Sequence, residues 1–144
     1  MKKRIIFIAT TLLLLFLLLF DTQKAVPTFS INNTTEKQIK DELIISFFAT
    51  DIENAVHEYY SDYFSVPLEV YNYEIEIVDL SKANNIITIR LGLTPQIGAH
   101  NPVGYDEIVF QVDYKGKKEL VSFEHIKSYS LPERFNTYIT TPLP

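Results

Sequence analysis

The sequence predicts an α+β domain in which helix packs on a four-stranded antiparallel meander. Three observations carry that prediction. Apolar residues recur at helical spacing through residues 36–63, four later segments alternate apolar and polar residues with period two, and short turn signals separate those segments. Helical and strand periodicities that arrive in separate blocks are the α+β pattern, because the helix stripe and the apolar sheet face each need a cover. A chain of 144 residues is one domain by length.

The chain opens on Lys2, Lys3 and Arg4, followed by Ile5–Phe20, in which only Thr10 and Thr11 interrupt the apolar run. A basic start before an apolar run is the pattern of an export leader. As a helix, the run spans roughly 24 Å, short of the ~30 Å hydrocarbon core, although a bilayer can thin to accommodate it. Ala25 is a suitable last residue for cleavage and Gln23 is not a suitable partner for it, so cleavage and retention as an anchor both stay open. In either case the N-terminal cations hold that end in the cytoplasm and the remainder is expected outside it.

The expected organisation is a signal peptide or anchor at 1–25, a polar linker at 26–35, the α+β domain at 36–131 and an extended tail at 132–144. Asn33 with Glu36, and Thr50 with Glu53, have the spacing of helix starts. Ile44, Ile45, Phe48, Ile52, Ala55, Val56, Tyr59 and Tyr63 share one helical face, whereas Ile39, Leu43 and Phe47 lie off it. The simplest resolution is one broken helix, or two helices, with the break near Ala49–Thr50; a continuous helix is the alternative.

Four strands follow, centred on Tyr71–Val78, Ile87–Leu93, Ile108–Tyr114 and Val121–Ile126. One apolar and one polar face suit an antiparallel sheet covered on a single side. Lys82–Asn85 and Tyr114–Lys117 are turn signals. Arg90 lies on the polar face within reach of Glu74, Glu76 or Asp113. At the level of fold alone, the arrangement is like cystatin-like or nuclear-transport-factor-like domains, which carries no function with it.

Composition excludes several chemistries. No cysteine is present, so there is no disulfide, thiolate metal site, cysteine nucleophile or lipidated cysteine. From Val26 onward, 9 Lys and Arg face 17 Asp and Glu. Residues 36–79 are the acidic half, with eleven acids against Lys37 and Lys40. A nucleic acid partner needs a basic footprint, which this distribution lacks. No HExxH, GxSxG, phosphate-binding loop or dinucleotide fingerprint occurs, and no cofactor is expected.

The connection Thr94–Tyr105 is the candidate site. Twelve residues is long for a hairpin loop, and it carries Gly98, Gly104, Pro95 and Pro102 around His100 and Asn101, with Asp106 and Glu107 closing it. Histidine titrates near neutrality and serves as base or ligand, and a neighbouring carboxylate orients its ring. The bland alternative is that His100 and Asn101 satisfy the loop's own backbone. His57 is expected on the exposed helix face, and His125 is expected partly buried at the sheet edge.

Two segments, FFATDIENAVHEYY and GAHNPVGYDEIVF, resemble the bacterial domain-of-unknown-function family numbered 3888, across Glu42–Tyr129. Gly98, His100, Asn101, Pro102, Gly104 and Phe110 fall on its matching positions. Ala99 stands where the family has proline, one residue is missing after Pro102, and the family's acidic position falls on Asp106 with a gap or Glu107 without one. Thr50 stands where the family often has a proline opening a second helix. The resemblance implies an exported protein of a spore-forming Gram-positive bacterium, and no reaction. The leading expectation is a non-catalytic binding or interaction module at the cell envelope, either secreted or membrane-anchored through its N-terminus. It would take a protein, peptide or cell-wall component through Gly98, His100, Asn101, Pro102, Asp106 and Glu107. The alternative is a small hydrolase or metal-dependent enzyme using His100 with Asp106 or Glu107, assisted by His125.

Overall fold

A computed structural model describes residues 33–144; the expected leader and most of the linker lie outside the described residues. Helix α1 spans Asn33–Tyr60, and strands β1 (Ile75–Ala83), β2 (Ile86–Leu93), β3 (Gly104–Val112) and β4 (Lys118–Ser128) form one antiparallel sheet in the order β1-β2-β3-β4. Among the described residues no helix is long and apolar enough to cross a membrane.

The expected break in the helix does not occur: α1 runs without interruption through Ala49 and Thr50. Residues 33–60 contain neither proline nor glycine, so nothing in the backbone forces an end there. The second apolar face that suggested a break is left open to solvent, with Leu43 71% exposed. The other face packs Ile45, Phe48, Ile52, Ala55, Val56 and Tyr60 against Ile89, Leu91, Leu93, Ile108 and Phe110 of the sheet. One helix is about 10 Å wide and four strands span about 14 Å between the outer axes, so the cover is incomplete. Ile89 is 1% exposed, while Ile87, one residue pair nearer the sheet's end, is 39% exposed.

The turns follow their chemistry. Asn84 and Asn85 form a two-residue hairpin loop with φ of 49° and 63°, the left-handed pair that matches strand twist. At the next hairpin, Asp113 Oδ1 accepts from the backbone N–H groups of Lys115 and Lys117, and Gly116 adopts φ of 82°. Tyr114 therefore belongs to the turn and not to the strand. Arg90 pairs with Glu107 at 2.7 Å rather than with Glu74, Glu76 or Asp113. Glu107 is the neighbour that β3 places diagonally beside it on the outer face.

Bulges account for the other departures. A register shift at Val78 interrupts β1, and another opposite Val109/Phe110 makes Val121 the extra residue of β4. Leu120 and Phe123 consequently oppose Phe110 and Ile108 across the core face, and Val121 is turned outward. Strand β1 begins at Ile75 because Asn72–Glu74 is a 3-10 turn that stacks Tyr71 on Tyr73, 5.3 Å between rings. The closing segment is not an extended tail throughout. Glu133–Tyr138 is a 3-10 helix, and Ile139 bridges to Phe64. Leu131, Phe135, Ile139 and Leu143 recur every four residues and all pack against the core, which is why the segment docks.

Candidate functional site

The loop Thr94–Val103 folds back on itself. Pro95, Gln96, Ile97 and Val103 are buried, and Gln96 exchanges backbone hydrogen bonds with Glu69. The Gln96 side chain accepts from the backbone N–H of His100, which sits at φ of 61°, and Asn101 Nδ2 donates to the carbonyl of Ala99. Asn101 Oδ1 accepts from Arg134 at 3.0 Å. Gly98, His100, Asn101 and Pro102 therefore cluster at the loop's outer tip. Asp106 and Glu107 are not beside them. Glu107 faces Arg90 on the outer sheet surface, and Asp106 points into the interior. The carboxylate expected to orient His100 serves other partners.

Asp106 has no exposed surface, and it meets two side chains. Tyr60, the last residue of α1, donates its hydroxyl to both carboxylate oxygens at 3.0 and 2.8 Å. His125 of β4 places Nδ1 2.6 Å from Asp106 Oδ1, and its Nε2 lies 2.8 Å from Ser128 Oγ. Since an ionised carboxylate only accepts, Asp106 holds a hydrogen of His125 on Nδ1, and the role of Nε2 toward Ser128, acceptor or donor, follows from where the one Ser128 hydrogen points. Tyr59 stacks along the imidazole, with ring centroids 5.9 Å apart at 26°.

A bulge makes this alignment possible. Asp106 opposes His125, Tyr105 opposes Lys127 and Gly104 opposes Ser128, so Ile126 is the extra residue between. In an unbroken strand, residues three apart face opposite sides; the inserted residue restores His125 and Ser128 to one side. Gly104 supplies the space. A Cβ there would lie 2.6 Å from His125 Cε1 and 2.5 Å from the carbonyl oxygen of Lys127.

Burial raises the pKa of Asp106 above the usual carboxylate range, while the hydrogen bonds from His125 and Tyr60 pull it down. Tyr60 is raised beyond its ordinary value, chiefly by burial and then by the charge of Asp106. Tyr59 is pushed up to about 12, chiefly by burial. Both tyrosines are thus neutral at physiological pH, and Tyr60 is a donor.

Ser128 is exposed, and its Oγ donates to the carbonyl of Pro144 at 2.8 Å. A cavity of about 320 Å³ opens beside it, lined by Phe64, Tyr129, Leu131, Asn136 and Ile139 among others. Among the described residues no group of three or more His, Asp or Glu side chains is placed to hold a metal ion.

Sequence reasoning grouped Asp106 and His125 around His100, which the structure keeps at the loop's tip with other partners, and it missed Tyr60 and Ser128. Tyr60 lies next to the expected stripe, and its burial follows from a hydroxyl partner that no periodicity encodes. A serine three residues after a strand histidine becomes informative only once the bulge is known.

Residues 40–127 match a family described as "Protein of unknown function (DUF3888)". No curated protein and no solved structure matches the chain.

Proposed function

We propose, taking as premise that the chain belongs to the DUF3888 family of proteins of unknown function, that it is a small serine hydrolase working outside the cytoplasm at the cell envelope. The observation that carries this reading is the continuous line Asp106 Oδ1–His125 Nδ1, His125 Nε2–Ser128 Oγ, at 2.6 and 2.8 Å. A buried acid, an oriented imidazole and an exposed hydroxyl beside a cavity are the parts that acyl transfer needs. The basic and apolar leader at residues 2–20 supports the location.

In this reading Ser128 Oγ attacks the carbonyl carbon of an ester or amide, and its hydrogen passes to His125 Nε2 as the new C–O bond forms. The carbonyl electron pair moves to oxygen and returns as the bond to the leaving group breaks, that group taking the proton from Nε2. Water then attacks the acyl-serine, again losing its proton to Nε2, and the acid departs with Ser128 restored. Asp106 stays ionised and stabilises the imidazolium. Asn136, an amide donor lining the cavity, is the type of group that stabilises the developing oxyanion.

The test is covalent labelling of the full chain with a fluorophosphonate, followed by peptide mass mapping. Adduct at Ser128, slowed about 100-fold or more in His125→Ala, supports the reading. Failure to modify Ser128 both in the folded full chain and in the folded chain lacking residues 141–144 ends it.

A second reading, a non-catalytic binding module for an envelope protein, peptide or wall component, is favoured by a different feature. Leu43, Ile44, Phe47, Phe48, Ile87 and Val112 line a wholly apolar groove of about 450 Å³ between the first half of α1 and the end of the sheet. Loss of envelope capture in Phe47→Ser, with Ser128 unreactive, selects this reading over the first.

A further inference from the structure

Resting on the hydrolytic reading of Ser128, we infer that the cleft beside this residue is a peptide site, and that residues 141–144 lie along its wall as an internal ligand. The ligand class is an extended, proline-containing peptide with a branched apolar side chain one residue before the carbonyl presented to Ser128.

The segment Thr141-Pro142-Leu143-Pro144 has the features of a bound peptide. Thr140 is fixed to the body, donating from its backbone to Tyr63 and from its hydroxyl to the carbonyl of Asp62. Beyond Thr141 the attachments are of another kind. Pro142 and Leu143 form part of the cavity wall with Phe64, Leu131 and Ile139, Leu143 is half-buried against the core, and Pro144 offers its carbonyl to Ser128. Proline has no N–H to donate and a restricted φ, so two prolines around one leucine keep the segment extended at little entropic cost. The cleft reads one apolar side chain and one carbonyl.

Hydrogen counting shows what occupancy does to the serine. A hydroxyl has one hydrogen to give, and Ser128 Oγ lies 2.8 Å from both the Pro144 oxygen and His125 Nε2. With the hydrogen directed to Pro144, the contact with the imidazole requires Nε2 to donate. The base is then unable to take a proton from Ser128. Lifting the segment lets the hydroxyl turn to Nε2 and empties the place that a substrate carbonyl needs. Residues 141–144 are therefore a likeness of the substrate that takes up the hydrogen of an exposed nucleophile.

The test compares the full chain with the same chain lacking residues 141–144, and with Leu143→Ala as a second variant that retains the backbone. The probes are the synthetic peptide acetyl-Thr-Pro-Leu-Pro and its Leu→Ser counterpart, followed by calorimetry or by shifts of the His125 imidazole signals. Tenfold or tighter binding of the leucine peptide to the shortened chain than to the full chain, with at least tenfold weaker binding of the serine peptide, supports the inference. Equal binding of the two peptides, or none by folded shortened chain, overturns it. Should the shortened chain not fold, Leu143→Ala decides: faster phosphonate labelling and gained peptide binding support the inference, and unchanged behaviour in both overturns it. Peptide binding without labelling of Ser128 keeps the peptide site and removes the hydrolase; labelling without peptide binding does the reverse.

Discussion

Asp106 and His125 are direct partners in the β3–β4 register, and their side chains meet at 2.6 Å with the carboxylate wholly enclosed. Backbone pairing and side-chain pairing thus coincide at one rung of the sheet. Tyr60 reaches the same carboxylate from the helix layer, so a single acid joins both layers of the fold.

The first expectation concerns the charge of that acid. Burial raises the Asp106 pKa, so folding favours the protonated form. The sign follows from linkage: stability from this group is full below the unfolded carboxylate value and is lost as pH rises through the higher folded value. Asp106→Asn, uncharged at every pH, should remove that slope from urea-derived stabilities measured between about pH 4 and about pH 7. Asp106→Ala should cost about 1–3 kcal/mol for each of the two donors it strands, the Tyr60 hydroxyl and the His125 Nδ1–H.

Tyr60→Phe keeps the ring and deletes the hydroxyl. The buried carboxylate loses a charge-assisted bond, and the expected loss is about 1.5–3 kcal/mol in equilibrium unfolding. If Tyr60 serves only as apolar filling, the variant will match the parent within error.

Gly104→Ala places a methyl group against His125 and the Lys127 carbonyl. Overpacking of this kind costs about 1–3 kcal/mol. Its specific signature is a displaced imidazole: phosphonate labelling of Ser128 should fall more than the modest shift in Tm accounts for.

Deleting Ile126 should remove the bulge yet leave His125 and Ser128 two residues apart on a regular strand, still on one face. Serine labelling is then retained where circular dichroism reports a retained sheet. Loss of labelling in that folded variant would show that the bulge's own geometry, and not the shared face, sets the alignment.

Leu43→Ser with Phe47→Ser should leave thermal unfolding nearly unchanged, within about 0.5 kcal/mol for each exposed site. A large loss would mean that these side chains are covered in the folded protein.

The α+β class, the meander order and both hairpin turns were legible in the sequence because they rest on local signals: period, Asn-Asn and Lys-Gly. The continuous helix was not, since an apolar face left to solvent looks the same in sequence as one that needs a partner. Bulges at Val78, Val121 and Ile126 shift parity without leaving a compositional mark, and parity was the tool used to assign faces. The site depends on the last of these bulges. Accordingly, the sequence pointed to the His100 loop, whose glycines and prolines are conspicuous, and passed over Ser128, which is not. Gly104, singled out as a loop glycine, turned out to make room for a different histidine.

Helix α1 carries a mechanical implication. Its 28 residues form an unbroken rod, about 42 Å long at 1.5 Å per residue, that ends in the tyrosine holding the buried acid. A pull or twist at its first turn has no hinge in which to dissipate. The load travels the length of the rod to the Tyr60 hydroxyl, so tension on the N-terminal end of the helix would act directly on the groups that set the imidazole.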